Sequence, residues 1–104
     1  MDVRDLSHCS GAGDYVELCL QDGKSLLHQS TLNELESELP AEFVRVHRSH
    51  IVNTSQIGSL SREPSGVGRL LMANGATVPV SRRIMPKVRD ALVDPGLQGL
   101  AETG

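Results

Sequence analysis

The sequence predicts a mainly β domain assembled from antiparallel hairpins, with one short internal helix and a second helix near its C-terminal end. Three observations carry that expectation. Residues Tyr15 to Leu20 alternate, with Val16, Leu18 and Leu20 on one face and Tyr15, Glu17 and Cys19 on the other, which is the period of a half-buried strand. Asp22-Gly23 and Asn74-Gly75 each stand between two apolar runs, the strongest short-range signal for a hairpin. Only the stretch after Thr31 combines helical spacing with both a start and a stop signal inside the chain.

Taken in order, Val3 to Cys9 reads as a weak strand and Ser10-Gly-Ala-Gly-Asp14 as a turn. Tyr15 to Leu20 is the first clear strand. Asp22-Gly23 predicts a type I′ turn, which needs positive φ at both central residues, leading into an antiparallel strand from Lys24 to His28. Thr31 and Glu34 have capping-box spacing, Leu32, Leu35 and Leu39 form one apolar stripe, and Pro40 prevents the helix from continuing. Glu34, Glu36 and Glu38 give that helix an acidic outer face, expected to point away from any polyanion. Strand patterns return at Phe43 to His47, at Ile51-Val52 and from Gln56 to Ser61, and the Glu63-Pro-Ser-Gly-Val-Gly68 segment breaks the last of them. Arg69 to Ala73 and Ala76 to Val80 flank Asn74-Gly75 as a second hairpin. Ile84, Val88 and Leu92 stand four apart in a final helix spanning Arg83 to Val93, with Pro86 suited to its first turn. The expected organisation is one domain over residues 1–94, made of about seven strands and two helices, followed by a tail over 95–104.

With 104 residues the chain holds one core, and with Tyr15 and Phe43 as its aromatic residues that core rests on Leu, Val and Ile. Scarce aromatics argue against binding single strands on stacking platforms. The overall charge of −3 conceals an asymmetry: from Phe43 to Arg89 eight basic residues face the single acid Glu63, and the acids concentrate elsewhere. That imbalance suggests a polyanionic partner, with a solvated mixed-charge surface as the plainer alternative. No run approaches the roughly 18 apolar residues of a membrane span, and the N-terminus lacks a signal-peptide pattern, so the expected compartment is the cytoplasm. Cys9 and Cys19 are too few for a disulfide framework and read as buried small hydrophobes. Together with His8 and His28 they lack the paired short spacings of a zinc site, so no metal or other cofactor is expected.

Catalysis finds thin support. Arg48-Ser49-His50 contains a hydroxyl beside an imidazole, but no Gly-x-Ser-x-Gly elbow is present, and no Gly-Lys-Ser/Thr follows Gly66 and Gly68 to make a phosphate loop. A nucleic-acid reading is better supported. Arg48 and Ser49 follow a strand ending at His47, and Ser81, Arg82 and Arg83 follow a strand ending at Val80, so both groups sit on elbows held by rigid strands. Arginine can donate two hydrogen bonds to guanine in the major groove, while hydroxyls and lysine suit phosphates. The alternative is that Arg48 or Arg82 pairs with a helix carboxylate. His47 and His50 read as structural hydrogen-bonding residues, and Asn53 as a turn residue.

Phe43-Val-Arg-Val-His-Arg-Ser-His-Ile-Val-Asn53, the strand at Ile57, Asn74-Gly75 and Val78-Pro-Val-Ser-Arg82 together resemble the LytTR DNA-binding domain of bacterial transcription regulators. Leu35 and Gly13-Asp-Tyr-Val-Glu-Leu18 extend the resemblance across about residues 3 to 93. It implies an elongated arrangement of small antiparallel sheets that presents loops to successive major grooves of double-stranded DNA. By that resemblance Gly13, Asp14 and Tyr15 form a first reading loop, Arg48 and Ser49 a second, and Arg82 the last reader, with Arg83 on a phosphate. Ser81 and Lys87 complete the backbone contacts. Asp14, an acid facing a polyanion, must accept from a cytosine amino group or leave contact to Tyr15 or the Gly13 amide. The resemblance also implies an N-terminal receiver or sensor region in the full-length protein and allows a homodimer on repeated half-sites. Against the family pattern the chain begins within or just after the first strand, which would leave a sheet edge unpaired. A rival from another class is a β-rich protein-interaction module docking a partner through a strand edge or the acidic helix.

Overall fold

The computed structural model describes residues 3–92. Its first sheet contains β1 (Leu6–Ala12), β2 (Tyr15–Leu20), β3 (Ser25–Gln29), β4 (Phe43–His47) and β5 (His50–Asn53), all antiparallel, in the order β3-β2-β1-β5-β4. A second sheet is a meander of β6 (Ile57–Arg62), β7 (Gly68–Met72) and β8 (Thr77–Val80). Helix α1 (Leu32–Glu38) joins β3 to β4, and α2 (Met85–Leu92) follows β8. The dimensions, 44 × 30 × 25 Å, make the fold elongated. The tail over 95–104 lies outside the described residues.

Two cores share the first sheet. On one face Leu32 and Leu35 of α1 pack on Leu6, Cys9, Val16, Leu18, Phe43 and Ile51. On the other, Val46 and Val52 meet Leu70, Met72, Val78 and Val80 of the second sheet and Val88 of α2. The layers are therefore α1, first sheet, then second sheet with α2. As the stripe in its sequence requires, α1 buries Leu32 and Leu35. Thr31 Oγ1 accepts from the Glu34 amide at 3.1 Å, and Glu34 reaches back to the Thr31 amide, completing the capping box. The helix stops at Leu39, which is extended before Pro40.

The N-terminal strand is displaced from the span read in the sequence. Val3–Asp5 is a 3-10 turn, and β1 runs on through Ser10 and Gly11 to Ala12, which reduces the expected turn to Gly13-Asp14. Neighbours explain the difference: β1 is the central strand, bonded to β2 on one side and β5 on the other, and two ladders hold extended a segment whose own propensity favours a turn. The sheet edges fall on β3 and β4 instead. Gly11 serves this packing, since a Cβ there would lie 2.7 Å from Leu32 Cδ1 and force that side chain to shift.

Both hairpins flagged by Asp-Gly and Asn-Gly form, but neither turn is type I′. Gly23 and Gly75 have φ of +91°, and among the described residues every positive φ belongs to a glycine, so Asp22 and Asn74 are not left-handed. Gly23 donates to Leu20 C=O and Leu20 to Lys24 C=O; Gly75 donates to Met72 C=O and Met72 to Ala76 C=O. This is a three-residue loop, a type I turn closed by a left-handed glycine. Glu63 to Val67 repeats it around Gly66, so the segment that breaks the strand pattern is a third hairpin of the same build. Asp22, Ser65 and Asn74 also match, each side chain accepting from the amide two residues on.

Asn74 does more than its counterparts. Its Nδ2 donates to Leu20 C=O at 3.0 Å, tying the β7–β8 turn to the end of β2. Asn53 acts similarly inside the first sheet: it caps the 3-10 turn Thr54–Gln56 by accepting from Ser55, and its buried amide donates to Leu6 C=O at 3.0 Å. Asn74→Ala is expected to cost about 1–2 kcal/mol in urea unfolding and Asp22→Ala less than about 1 kcal/mol, because Asn74 loses a bond between sheets as well as its own turn. Equal losses would show that Asn74 serves its own turn alone.

Candidate nucleic-acid interface

Three loops at strand ends carry the residues singled out in the sequence. The first is the β1–β2 turn, where a φ of +67° at Gly13, with Asp14 not left-handed, fits a type II′ turn. Gly13 and Asp14 are exposed, and Tyr15 at the base of the turn is 47 % exposed.

The second loop is the β4–β5 connection at Arg48 and Ser49. One residue before β4 ends, the register slips: Arg45 pairs with Ile51 and His47 with His50, leaving Val46 as a bulge. Val46 turns into the second core, while Arg45 faces α1. There Arg45 Nη1 donates to Asn33 Oδ1 at 2.9 Å and Glu36 Oε1 at 3.0 Å, its Nε donates to His47 C=O, and its Nη2 donates to Arg48 C=O. The arginine that pairs with a helix carboxylate is thus Arg45, not Arg48 or Arg82. Glu36 is correspondingly turned to the sheet rather than outward. The sequence does contain the signal: a charged side chain on a strand whose neighbours are buried needs a carboxylate within reach.

Ser49 is held between two imidazoles. Its Oγ lies 2.8 Å from His47 Nδ1 and 2.8 Å from His50 Nδ1, and its amide donates to His47 Nδ1 at 3.2 Å. Since that amide requires His47 Nδ1 to be an unprotonated acceptor, the arrangement satisfying every contact runs His50 Nδ1–H to Ser49 Oγ–H to His47 Nδ1. Ser49 C=O also accepts from Gly11 N–H at 2.8 Å, joining this elbow to the strand that carries the first loop. The hydroxyl expected on a phosphate is therefore already engaged, and Arg48 is the exposed member of the pair.

The third loop follows β8. Ser81 N–H donates to the carbonyl of the bulged Val46 at 2.9 Å, and Ser81 C=O accepts from Ile84 and Met85 to start α2. Arg82 and Arg83 project from this turn and are exposed. They diverge: Ser81 and Arg83 line a cleft with Arg45, His47 and Arg48, whereas Arg82 lines a separate cleft with Arg62 and Arg89. A further cleft between Gly13, Arg48 and Ser49 links the first loop to the second. Arg48 thus stands centrally, sharing one cleft with the first loop and another with the third. Lys87 is exposed on α2 and lines none of these clefts.

The second and third loops keep their positive charge. Glu63, the acid of the basic half, is paired with Arg69 at 2.7 Å, and Glu36 is taken by Arg45. Among the described residues Arg48, Arg82, Arg83 and Lys87 have no side-chain partner. Burial pushes the Cys9 thiol up to about 12, which makes it an inert part of the core. The His50 imidazole is held below the usual histidine range by burial and by the neighbouring His47 and His8, and His8 is lowered by burial despite Glu17.

Arg45→Gln is expected to lower stability by about 1–3 kcal/mol, and Arg48→Gln by under about 0.5 kcal/mol, although the two are three residues apart. Chemical denaturation checks this, and similar costs would refute the division into one structural and one free arginine. Because His8 and His50 bind protons less readily folded than unfolded, their contribution is complete above the ordinary value of 6.5 and is lost as pH falls through it towards the lower folded values. Unfolding free energy should therefore decline from about pH 7.5 to about 5.5, and His50→Gln should flatten that decline.

The family model of the LytTr DNA-binding domain matches residues 1–93. The transcriptional regulatory protein BtsR of Escherichia coli K12 is 32 % identical over 92 residues, which are 88 % of this chain and 38 % of that protein. The sensory transduction protein LytT of Bacillus subtilis is 30 % identical over 93 residues, again 88 % of this chain and 38 % of the relative. The chain thus spans well under half the length of these regulators. A solved LytTr DNA-binding domain of a response regulator from Bacillus cereus superposes with a TM-score of 0.79 at 27 % identity, covering 88 % of this chain and 84 % of that one. With two antiparallel sheets, arginine-bearing loops after β4 and β8 and a family match over residues 1–93, the chain belongs to the LytTr DNA-binding domain family.

Proposed function

We propose that this domain, over residues 1–94, is the sequence-reading output part of a bacterial transcription regulator, working in the cytoplasm on double-stranded DNA and without catalytic chemistry. The observation that supports it best is the row of loops: Gly13, Arg48 and Ser81 with Arg83 follow one another through shared clefts, although they are far apart in sequence. Arg48 and Arg82 donate to base edges, while Ser81, Arg83 and Lys87 hold the phosphate backbone. Gly13, Asp14 and Tyr15 meet the flanking groove, with Tyr15 as the exposed aromatic contact. Ser49 acts by fixing the elbow that aims Arg48, its hydroxyl being held by His47 and His50.

No helix of the described residues is long and apolar enough to cross a membrane. In the full-length protein a receiver or sensor region controls the domain, and two copies bind repeated half-sites, gaining affinity through effective concentration.

Fluorescence anisotropy with a random duplex pool, from low to moderate salt, tests this reading. The folded wild type should bind with an affinity that falls steeply with salt, and Arg48→Ala/Arg82→Ala should lose binding. On a site selected from the pool, Arg82→Ala should cost about 1–3 kcal/mol and blur preference at one base position, whereas Lys87→Ala should weaken all sequences alike. Equal weakening of target and random duplex by Arg82→Ala would remove it as a base reader.

A further inference from the structure

The turn from Ser81 to Ile84 separates two clefts of the same sign, and local sequence patterns give no sign of the second. It is formed by Arg62 at the end of β6, Ser65 and Gly66 of the β6–β7 turn, and Arg82 and Arg89 on either side of the start of α2. Arg89 and Met85 are one helical turn apart and face the cleft together, while Val88 points into the core. Met85 anchors this helix face on bare backbone, since a Cβ at Gly68 would fall 2.0 Å from Met85 Sδ. The Arg82 stem likewise lies against Gly66, where a Cβ would be 2.9 Å from Arg82 Cδ. Glycine thus brings helix and hairpin close enough for three guanidinium groups, from three different elements, to line one depression.

Such a concentration of charge opposes folding unless something else offsets it. No carboxylate lines this cleft: Glu63 at its rim is bonded to Arg69, and Asp90, adjacent to Arg89, is not among the lining residues. Arg62, Arg82 and Arg89 have no side-chain partner among the described residues. A ridge carrying Arg82 and Arg83, with arginines on both flanks, has the charge layout of an element inserted between two rows of phosphates. A major groove about 12 Å wide offers such rows on its two walls.

We infer that Arg62 and Arg89 form a phosphodiester clamp on the far side of the Ser81–Ile84 ridge, so that this loop is held by both strands bordering the groove it enters. The inference rests on the DNA-binding reading above. Arg83 holds the near strand, and Arg62 and Arg89 hold the far one. The clamp contributes affinity and orientation without reading sequence.

The experiment compares the 104-residue wild type, Arg62→Gln/Arg89→Gln and Arg62→Lys/Arg89→Lys across a salt series on target and random duplexes, with folding checked by circular dichroism. The Gln pair should weaken both duplexes by the same factor and reduce the log–log salt slope by about 2, since each phosphate that is no longer neutralised removes about 0.9. The Lys pair, which keeps the charge, should retain most of the slope. If wild type binds and the Gln pair leaves its slope unchanged, the clamp is wrong while the DNA reading stands. If folded wild type binds no duplex at low salt, both fall. A Lys pair whose slope drops as far as that of the Gln pair, or a Gln pair that no longer discriminates at one base position, also overturns the clamp. Calorimetry with inorganic phosphate at constant ionic strength should show no saturable site; a site present in wild type and absent from the Gln pair would assign the cleft to a free anion instead.

Discussion

The bulge at Val46 governs more of this architecture than any other single feature. In a regular strand, residues 44 and 46 share a face and 45 and 47 the other. Alternation holds through Val46, with Phe43 and Arg45 on the α1 side and Val44 and Val46 on the second core, and the extra residue then brings His47 into register with His50 at the elbow. The freed Val46 carbonyl then accepts from Ser81 N–H, which fixes where β8 ends and α2 begins. One irregularity thus sets the positions of two of the three loops and of the helix beside them.

Charge is divided between structure and surface along the same line. Arg45, 21 % exposed, makes four hydrogen bonds that stiffen the elbow without presenting its charge, and Arg69 neutralises Glu63. The remaining arginines of the basic half project from strand ends and from α2. Because Glu36 and Glu63 are already paired, neither cancels their field, which favours long-range attraction of a polyanion. The acidic outer face of α1, on the opposite side of the first sheet from the second, keeps Glu34 and Glu38 away from the Ser81–Ile84 turn.

Stiffness comes from economical means. Three hairpins use one turn type, a left-handed glycine preceded by a residue whose side chain caps the amide two positions on. The proposed reading loops are tied through bonds to other elements, Gly11 to Ser49 and Ser81 to Val46, and the β7–β8 turn is tied likewise by Asn74 to Leu20. Aromatic packing contributes little, with Phe43 as the buried ring, so these polar ties between layers help to keep two small aliphatic cores in one orientation.

Features that depend on near neighbours were legible in the chain before any packing was known. Period-two alternation placed β2 and β4 to the residue, Thr31, Glu34 and Pro40 bounded α1, and glycines after Asp22 and Asn74 marked two hairpins; all of these rest on interactions within a few residues. The order of blocks around Arg48 and Arg82 was likewise enough to identify the family. Features that depend on partners far along the chain emerged only from packing. Ladders from β2, and from β5 as far as Ser10, made Ser10 to Ala12 a strand, the register of the β2–β3 and β7–β8 ladders left three-residue loops in place of type I′ turns, and packing against α1 made Arg45 a strut while Arg48 stayed free. Packing also set Arg83 beside Arg48 and sent Arg82 to join Arg62 and Arg89. Adjacent arginines on one turn carry identical local signals, and only the surfaces that pack beneath them determine which way each one points.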